Sequence, residues 1–340
     1  MMRRYDPLGQ EFLRLGRRDP KESRCELWWS GSGIRMSLKC TRLEIEADAP
    51  EGEFSPWLSV AVDGAPTARF ALRPGLHRYD LLGGMEIDFA HEIAVTRDTQ
   101  PAGDGGPLAL TAVYTDGQLS TPVPRPRLVE FLGDSLTVGE GTVGPVTAME
   151  WRMAWISNQF AFPTLVTQAL NAEKRLVALG GWGAHYSFDG DASHTIGAIY
   201  ESLCPVVTGG DIPYDFSAQR PADAVVINLG TNDASALDKV DEASRPAELS
   251  AFEDSAVALL ERVRVHNPDA AILWAYGLCG DALAEPIRRA VARRTAAGDS
   301  NTRYLALDDC AGDLGSRSHP SRHAHQRAAE QIVRALAETL

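Results

Sequence analysis

Over residues 25–114, apolar and polar positions alternate with a period of two in short runs: 26–29, 34–38, 43–46, 57–62, 92–96 and 108–114. That period puts successive side chains on opposite faces, so each run predicts a strand with one buried face. Asp63-Gly64, Pro74-Gly75 and Gly83-Gly84 stand where such strands would reverse, because Gly supplies positive φ and Pro presets its own φ. No amphipathic helical period interrupts this half. The expectation is an N-terminal all-β sandwich of roughly a hundred residues.

The pattern changes after Thr121-Pro-Val-Pro-Arg-Pro-Arg127, whose three prolines forbid a regular ladder and stiffen the chain into a connector. The sequence therefore divides into domains 1–122 and 123–340. Beyond the connector, largely apolar runs at 128–132, 175–179, 224–229, 270–275 and 303–307 read as strands buried on both faces. Helical periods fall at 161–172, 251–265, 282–294 and 321–340. Strand–helix alternation predicts a mostly parallel sheet covered by helices, an α/β layered domain. Ligands of such sheets bind at the carboxyl ends of the strands.

Composition narrows the function classes. The 340 residues exceed what one hydrophobic core usually organises, and 44% hydrophobic with 23% charged residues is an ordinary globular balance. A formal net charge of -13 argues against nucleic acid or an anionic membrane surface as partner and favours a neutral small molecule. The first twenty residues carry five arginines but no apolar signal core, and no stretch is long enough to span a membrane, so a cytoplasmic protein is expected. Cys25, Cys40, Cys204, Cys279 and Cys310 are scattered without C-x-x-C spacing, which speaks against a disulfide framework or a zinc site. They read as small buried hydrophobes.

Candidate chemistry gathers at the predicted strand ends. Gly133-Asp-Ser-Leu136 follows the first strand of the second domain, Gly180-Gly-Trp-Gly183 the second, and Gly230-Thr-Asn-Asp233 the third, while Ser318-His-Pro-Ser321 precedes the last helix. Each block alone reads equally as a turn or a cap. Together they supply a serine nucleophile, a glycine N–H, an asparagine amide and a histidine base, the inventory of acyl transfer. Thr137 stands where a G-x-S-x-G elbow requires glycine, which excludes that motif.

In their order and spacing the four blocks resemble the signature blocks of the SGNH (GDSL-type) hydrolase superfamily. The resemblance implies a three-layer flavodoxin-like domain with Ser135 as nucleophile and His319 as base. It also implies an oxyanion hole from the Ser135 and Gly181 N–H groups with the Asn232 amide, and no metal or organic cofactor. His319 would take the Ser135 proton during attack on an ester carbonyl and return it to the leaving alcohol; water would then release the acyl group.

The segment Trp28-Trp-Ser-Gly-Ser-Gly-Ile34, followed by Gly133-Asp-Ser-Leu-Thr-Val-Gly139 and by His319-Pro-Ser321 with His325, further resembles carbohydrate esterase family two. That implies a jelly-roll-like first domain and an acetylated carbohydrate or oligosaccharide ester as substrate, with Trp151, Trp155, Trp182 and Trp274 as candidate stacking faces. The Gly- and Asp-rich stretch 184–213 reads as a substrate-facing loop.

One feature departs from the superfamily pattern. The third triad member is absent: Ser316 stands three residues before the histidine and Arg317 two before. A backbone carbonyl, Asp313 or Asp309 is left to orient His319. An impaired hydrolase site, leaving a carbohydrate-binding protein, is the alternative reading. His319 and His323, four apart, admit a metal-dependent hydrolase as a third, and His325 is expected to support the His-Pro turn.

Overall fold

The structure is a computed structural model that describes residues 1–84 and 87–340. Two compact units divide the chain: Met1–Arg125 with Ser202–Asp215, and Pro126–Glu201 with Phe216–Leu340. The first unit thus extends three residues past the division at 122 and also takes in a segment from the second half of the chain. Buried hydrogen bonds hold that segment in the first unit. The Trp29 indole N–H donates to the Leu203 carbonyl at 2.7 Å and the Arg17 guanidinium to the Ser202 carbonyl at 2.9 Å.

Among the described residues, eleven strands build the first unit: β1 (Arg3–Tyr5), β2 (Leu13–Leu15), β3 (Cys25–Leu27), β4 (Gly33–Cys40), β5 (Leu43–Ala49), β6 (Trp57–Val62), β7 (Ala65–Ala71), β8 (Gly75–Asp80), β9 (Ile87–Arg97), β10 (Leu108–Thr115) and β11 (Gln118–Ser120). One antiparallel sheet runs β1-β10-β5-β8 with β3 also on β10; the other runs β11-β4-β9-β6-β7 with β2 also on β4. Period-two strands bury one face each, and here those faces share a core of residues such as Ile34, Met36, Ile45, Leu58, Val95 and Leu110. β5 shows the alternation without a break, Leu43, Ile45, Ala47 and Ala49 being buried between half-exposed neighbours.

The second unit alternates strands and helices as expected. Its parallel strands are β12 (Arg127–Gly133), β13 (Ala172–Ala178), β14 (Ala224–Asn228), β15 (Ala271–Tyr276) and β16 (Thr302–Ala306), in the order β13-β12-β14-β15-β16. Its helices are α1 (Ser135–Val138), α2 (Phe162–Ala169), α3 (Ile196–Ile199), α5 (Thr231–Leu237), α6 (Arg245–His266), α7 (Ala284–Ala296) and α8 (Arg322–Ala337), while α4 (Pro205–Thr208) lies in the first unit's inserted segment. The strand order reverses direction at β12, so the crevice lies at the carboxyl ends of β12 and its neighbours, the usual ligand position of a doubly wound sheet. β14 and β15 are buried at every position. In β12 the buried Glu130 is balanced by Arg175 at 2.8 Å and by the Tyr200 hydroxyl at 3.0 Å, as a charge inside a two-faced sheet requires.

Two expectations change here, for the stretch 184–213 and for Trp274. The stretch 184–213 is not an open loop: it contains α3 and α4 and buries Ile196, Tyr200 and Cys204, whose apolar area drives it inward. Trp274 is buried in β15 with its indole N–H on the Leu229 carbonyl at 3.0 Å, so it is a core residue with no face for a sugar. The Cys279 and Cys310 thiols, far apart in sequence, lie 3.4 Å apart at the ends of the last two strands.

His325 also has a different role from the one expected. It is fully buried on α8, and its Nδ1 accepts the Phe162 N–H at the start of α2 at 3.2 Å while its ring stacks on Phe162. Burial, with a smaller contribution from His319, pushes its pKa down to about 3. The unfolded imidazole titrates near 6.5, so below that pH the unfolded state takes up a proton that the folded state refuses, and stability drops as the pH is lowered. His325→Asn keeps an acceptor and removes this titration. Its stability deficit against wild type should therefore shrink by about 2 kcal/mol between pH 7.5 and 4.5 in urea unfolding.

Candidate active site

Ser135 opens α1 directly beyond β12. The turn is built by Asp134, which caps the helix by accepting the Leu136 N–H at 3.0 Å, and by Gly139, which closes it in the left-handed conformation. All four helical residues are buried, Ser135 included. Its hydroxyl is 2.9 Å from Nε2 of His319, and Nδ1 of His319 donates to the Arg317 carbonyl at 2.9 Å. One ring nitrogen is thus fixed as the proton carrier, leaving the other to accept the serine proton.

The orienting group is therefore the backbone carbonyl of Arg317. Asp313 is instead held on α8, accepting from Ser321, Arg327 and His323; these bonds, that from Ser321 foremost, bring its carboxyl down to about 2. Asp309 accepts the Gly280 N–H at 2.7 Å and the Ala311 N–H at 2.5 Å. Neither makes a hydrogen bond to His319.

Presenting that carbonyl requires unusual backbone. Arg317 (φ 55°, ψ 34°) and Ser318 (φ 54°) are consecutive non-glycine residues in the left-handed region, which costs on the order of 1 kcal/mol each. The surroundings hold them there. The Arg317 N–H donates to the Ala148 carbonyl at 2.7 Å, the Ser316 hydroxyl to the Val143 carbonyl at 3.1 Å, and the Gly315 N–H to the His319 carbonyl at 2.7 Å. The histidine loop is thereby stitched to the chain that leaves the nucleophile helix.

The remaining blocks converge on the same strand ends. Gly181 adopts φ +85°, open to glycine at no steric cost. Among the described residues, neither its N–H nor that of Ser135 is given to a protein acceptor. Asn232 is beside them on α5, with its amide donating to the Trp182 carbonyl at 2.8 Å and to Asp134 Oδ2 at 3.2 Å. Asp233 is buried and receives the N–H groups of Ala184 (3.0 Å), His185 (2.7 Å) and Tyr186 (2.8 Å), tying the glycine turn to α5. Burial raises its carboxyl above the ordinary range, and burial pushes Asp134 up to about 7, with Asp233 adding to the rise.

Sequence reasoning passed over Asp233, Glu140 and the pairing of Arg317. Asp233 was visible within its block, but the other two meet only in three dimensions. Glu140 is buried; its Oε1 is 2.6 Å from the Arg317 guanidinium and its Oε2 3.8 Å from His319 Nε2. Trp182 packs against His194 with ring centroids 5.0 Å apart, and Phe188 stands exposed next to Gly181. Trp151 and Trp155 are half-buried. His323 pairs with Asp313 at 2.7 Å. Among the described residues no group of three His, Cys, Asp or Glu side chains is placed to hold a metal ion.

Comparison with known proteins agrees with this geometry. The profile of the GDSL-like lipase/acylhydrolase family matches residues 131–339. The chain belongs to that family. The carbohydrate esterase 2 N-terminal profile matches residues 14–122. Cellulase/esterase CelE of Acetivibrio thermocellus is 27% identical over 325 residues, which cover 93% of this chain and 37% of that protein; the chain thus spans little more than a third of this relative. An acetyl xylan esterase (Est2A) from the rumen bacterium Butyrivibrio proteoclasticus superposes with a TM-score of 0.93 at 26% identity, covering 99% of this chain and 98% of that one. A family two carbohydrate esterase from Clostridium thermocellum, solved in complex with cellohexaose, has the same fold, with a TM-score of 0.84 at 23% identity over 96% of this chain and 98% of its own.

Packing against His319 is close enough to test. Gly141 sits at φ +86°, and a Cβ there would lie 2.6 Å from the His319 Cβ. Gly141→Ala should displace the imidazole and lower kcat by about 100-fold, the scale of a 1 Å misplacement, with a modest drop in melting temperature. Unchanged turnover in steady-state assays would mean that His319 is not held from this side.

Proposed function

We propose that the chain is a carbohydrate O-acetyl esterase that works through Ser135 and His319. The observation that carries this reading is the 2.9 Å contact from Ser135 Oγ to Nε2, with Nδ1 engaged at 2.9 Å by a backbone carbonyl. It supplies a nucleophile, its base and the base's orienter without a carboxylate. The motive for an impaired, binding-only site was the absent third member, and the Arg317 carbonyl fills that place. Similarity to acetyl xylan esterases and to an esterase that binds cellohexaose supports an acetylated oligosaccharide as substrate.

Attack begins as the Ser135 hydroxyl adds to the acetyl carbonyl and passes its proton to His319 Nε2. The Arg317 carbonyl holds Nδ1–H throughout, so the imidazolium forms without rotating. The Ser135 and Gly181 N–H groups receive the oxyanion. Asn232 joins them by giving up its longer bond, the one to Asp134. His319 then protonates the departing sugar hydroxyl and activates water to release acetate.

The test is acetate release from acetylated xylo-oligosaccharide and from p-nitrophenyl acetate. Wild type should turn over both, and Ser135→Ala and His319→Ala should each lose about 10³-fold or more in kcat. A wild-type chain that releases no acetate from either ester, or a Ser135→Ala variant that keeps its rate, would overturn the reading.

A further inference from the structure

A neutral carbonyl orients a histidine only while its own peptide stays fixed. The Arg317 peptide is fixed in a conformation that arginine does not favour, φ 55° and ψ 34°, and rotation back to an ordinary backbone would swing the carbonyl off Nδ1. A carboxylate in a triad needs no such help, because its side chain reaches the imidazole directly.

We propose that the Glu140–Arg317 ion pair is the latch that holds this carbonyl in place, which makes Glu140 a positioning residue for His319. The latch does, through a backbone, what the absent triad carboxylate does directly. Three observations converge on it. Glu140 is 4% exposed, and its Oε1 meets the Arg317 guanidinium at 2.6 Å, a charge-assisted bond in a largely dry setting. The Glu140 N–H donates to the Ser135 carbonyl at 3.0 Å, so the carboxylate is rooted in the nucleophile's own turn. Its second oxygen, Oε2, lies 3.8 Å from His319 Nε2, facing the nitrogen that gains the proton. One side chain therefore links the serine turn to the arginine whose carbonyl steers the base.

The Arg317 side chain is two-thirds buried, and its aliphatic stem contributes packing as well as charge. A packing role and a latch role make different predictions. If Arg317 merely packs, removing its charge while keeping its bulk should cost nothing. If it latches, loss of either charge frees the same carbonyl, and losing both costs no more than losing one.

The inference rests on the Ser135–His319 reading, so its test needs a readout independent of the sugar substrate. Full-length wild type, Glu140→Gln, Arg317→Met, the double variant and Arg317→Lys are compared in two assays: kcat and KM for p-nitrophenyl acetate, and the rate at which an organophosphonate modifies Ser135. Glu140→Gln and Arg317→Met should each lower kcat and the modification rate about tenfold with KM within about twofold, and the double variant should be no slower than the worse single. Arg317→Lys, which keeps the ion pair, should recover most of the rate. Melting temperature checks that each variant is folded, and the conservative lysine variant carries the test if the methionine variant is not.

Single variants within twofold of wild type in both assays would overturn the latch, as would losses that multiply in the double variant. A wild type that resists the phosphonate would overturn the Ser135–His319 reading, and the latch with it. A wild type that reacts with the phosphonate but releases no acetate would overturn the substrate alone, and the latch would then be decided by the modification rates.

Discussion

A serine is acylated at neutral pH only if an imidazole is waiting with the correct nitrogen bare, and that depends on what holds its other nitrogen. In this protein the holder is one peptide carbonyl, 2.9 Å from His319 Nδ1. Much else in the catalytic unit can be traced to that bond. The left-handed pair Arg317–Ser318 exists to aim it, and the contacts to Val143, Ala148 and Glu140 pay for the strain. Gly141 is glycine because the histidine loop leaves no room for a Cβ. The sheet sets the scale of the arrangement: Ser135 leaves β12, whereas His319 arrives from beyond β16, at the far edge. Long-range stitching is the only way to bring two such loops into hydrogen-bond register.

The scaffold accounts for its polar groups in a way that favours this chemistry. Parallel strands buried on both faces leave no polar side chains in the interior except those with dedicated partners, such as Glu130 with Arg175 and Tyr200. The polar residues of the candidate site, Asp134, Ser135 and Asn232, stand beyond the carboxyl ends of β12 and β14, where the strands stop and the turns begin. Function is therefore confined to the loops, and packing to the strands.

This division also explains what could be read from the sequence. The strands of the second unit were legible because continuous apolar runs between helical periods have few alternative meanings; β12, β14 and β15 fall within a residue or so of the expected runs. The four site blocks were legible because each is a contiguous stretch, three just beyond strand ends and the fourth just before the last helix. In the first unit the well-alternating strands stood out, but β7, exposed or half-exposed along its length, and the three-residue β1 and β2 lack the contrast that a periodicity argument needs. The segment 202–215 was assigned by position in the chain, whereas its partners Arg17 and Trp29 lie more than 170 residues earlier. The same distance hid the pairing of Glu140 and Arg317, 177 residues apart. An αL arginine has no sequence signature at all, so the sequence allowed a backbone carbonyl as the orienting group without showing that it is the one at Arg317.

The two buried aspartates complete the electrostatic picture. An oxyanion forming beside two carboxylates faces repulsion unless their charge is spent elsewhere. Asp233 spends its charge on three backbone N–H groups of the glycine turn, and Asp134 on the Leu136 N–H. Burial brings the Asp134 carboxyl up to about 7, favouring its neutral form over that of an ordinary carboxylate. By taking up the other N–H groups of their turns, these carboxylates leave those of Ser135 and Gly181 as the donors still facing outward. The turns are held by assigned hydrogen bonds, and the N–H groups of Ser135 and Gly181, proposed to receive the oxyanion, are what that assignment leaves over.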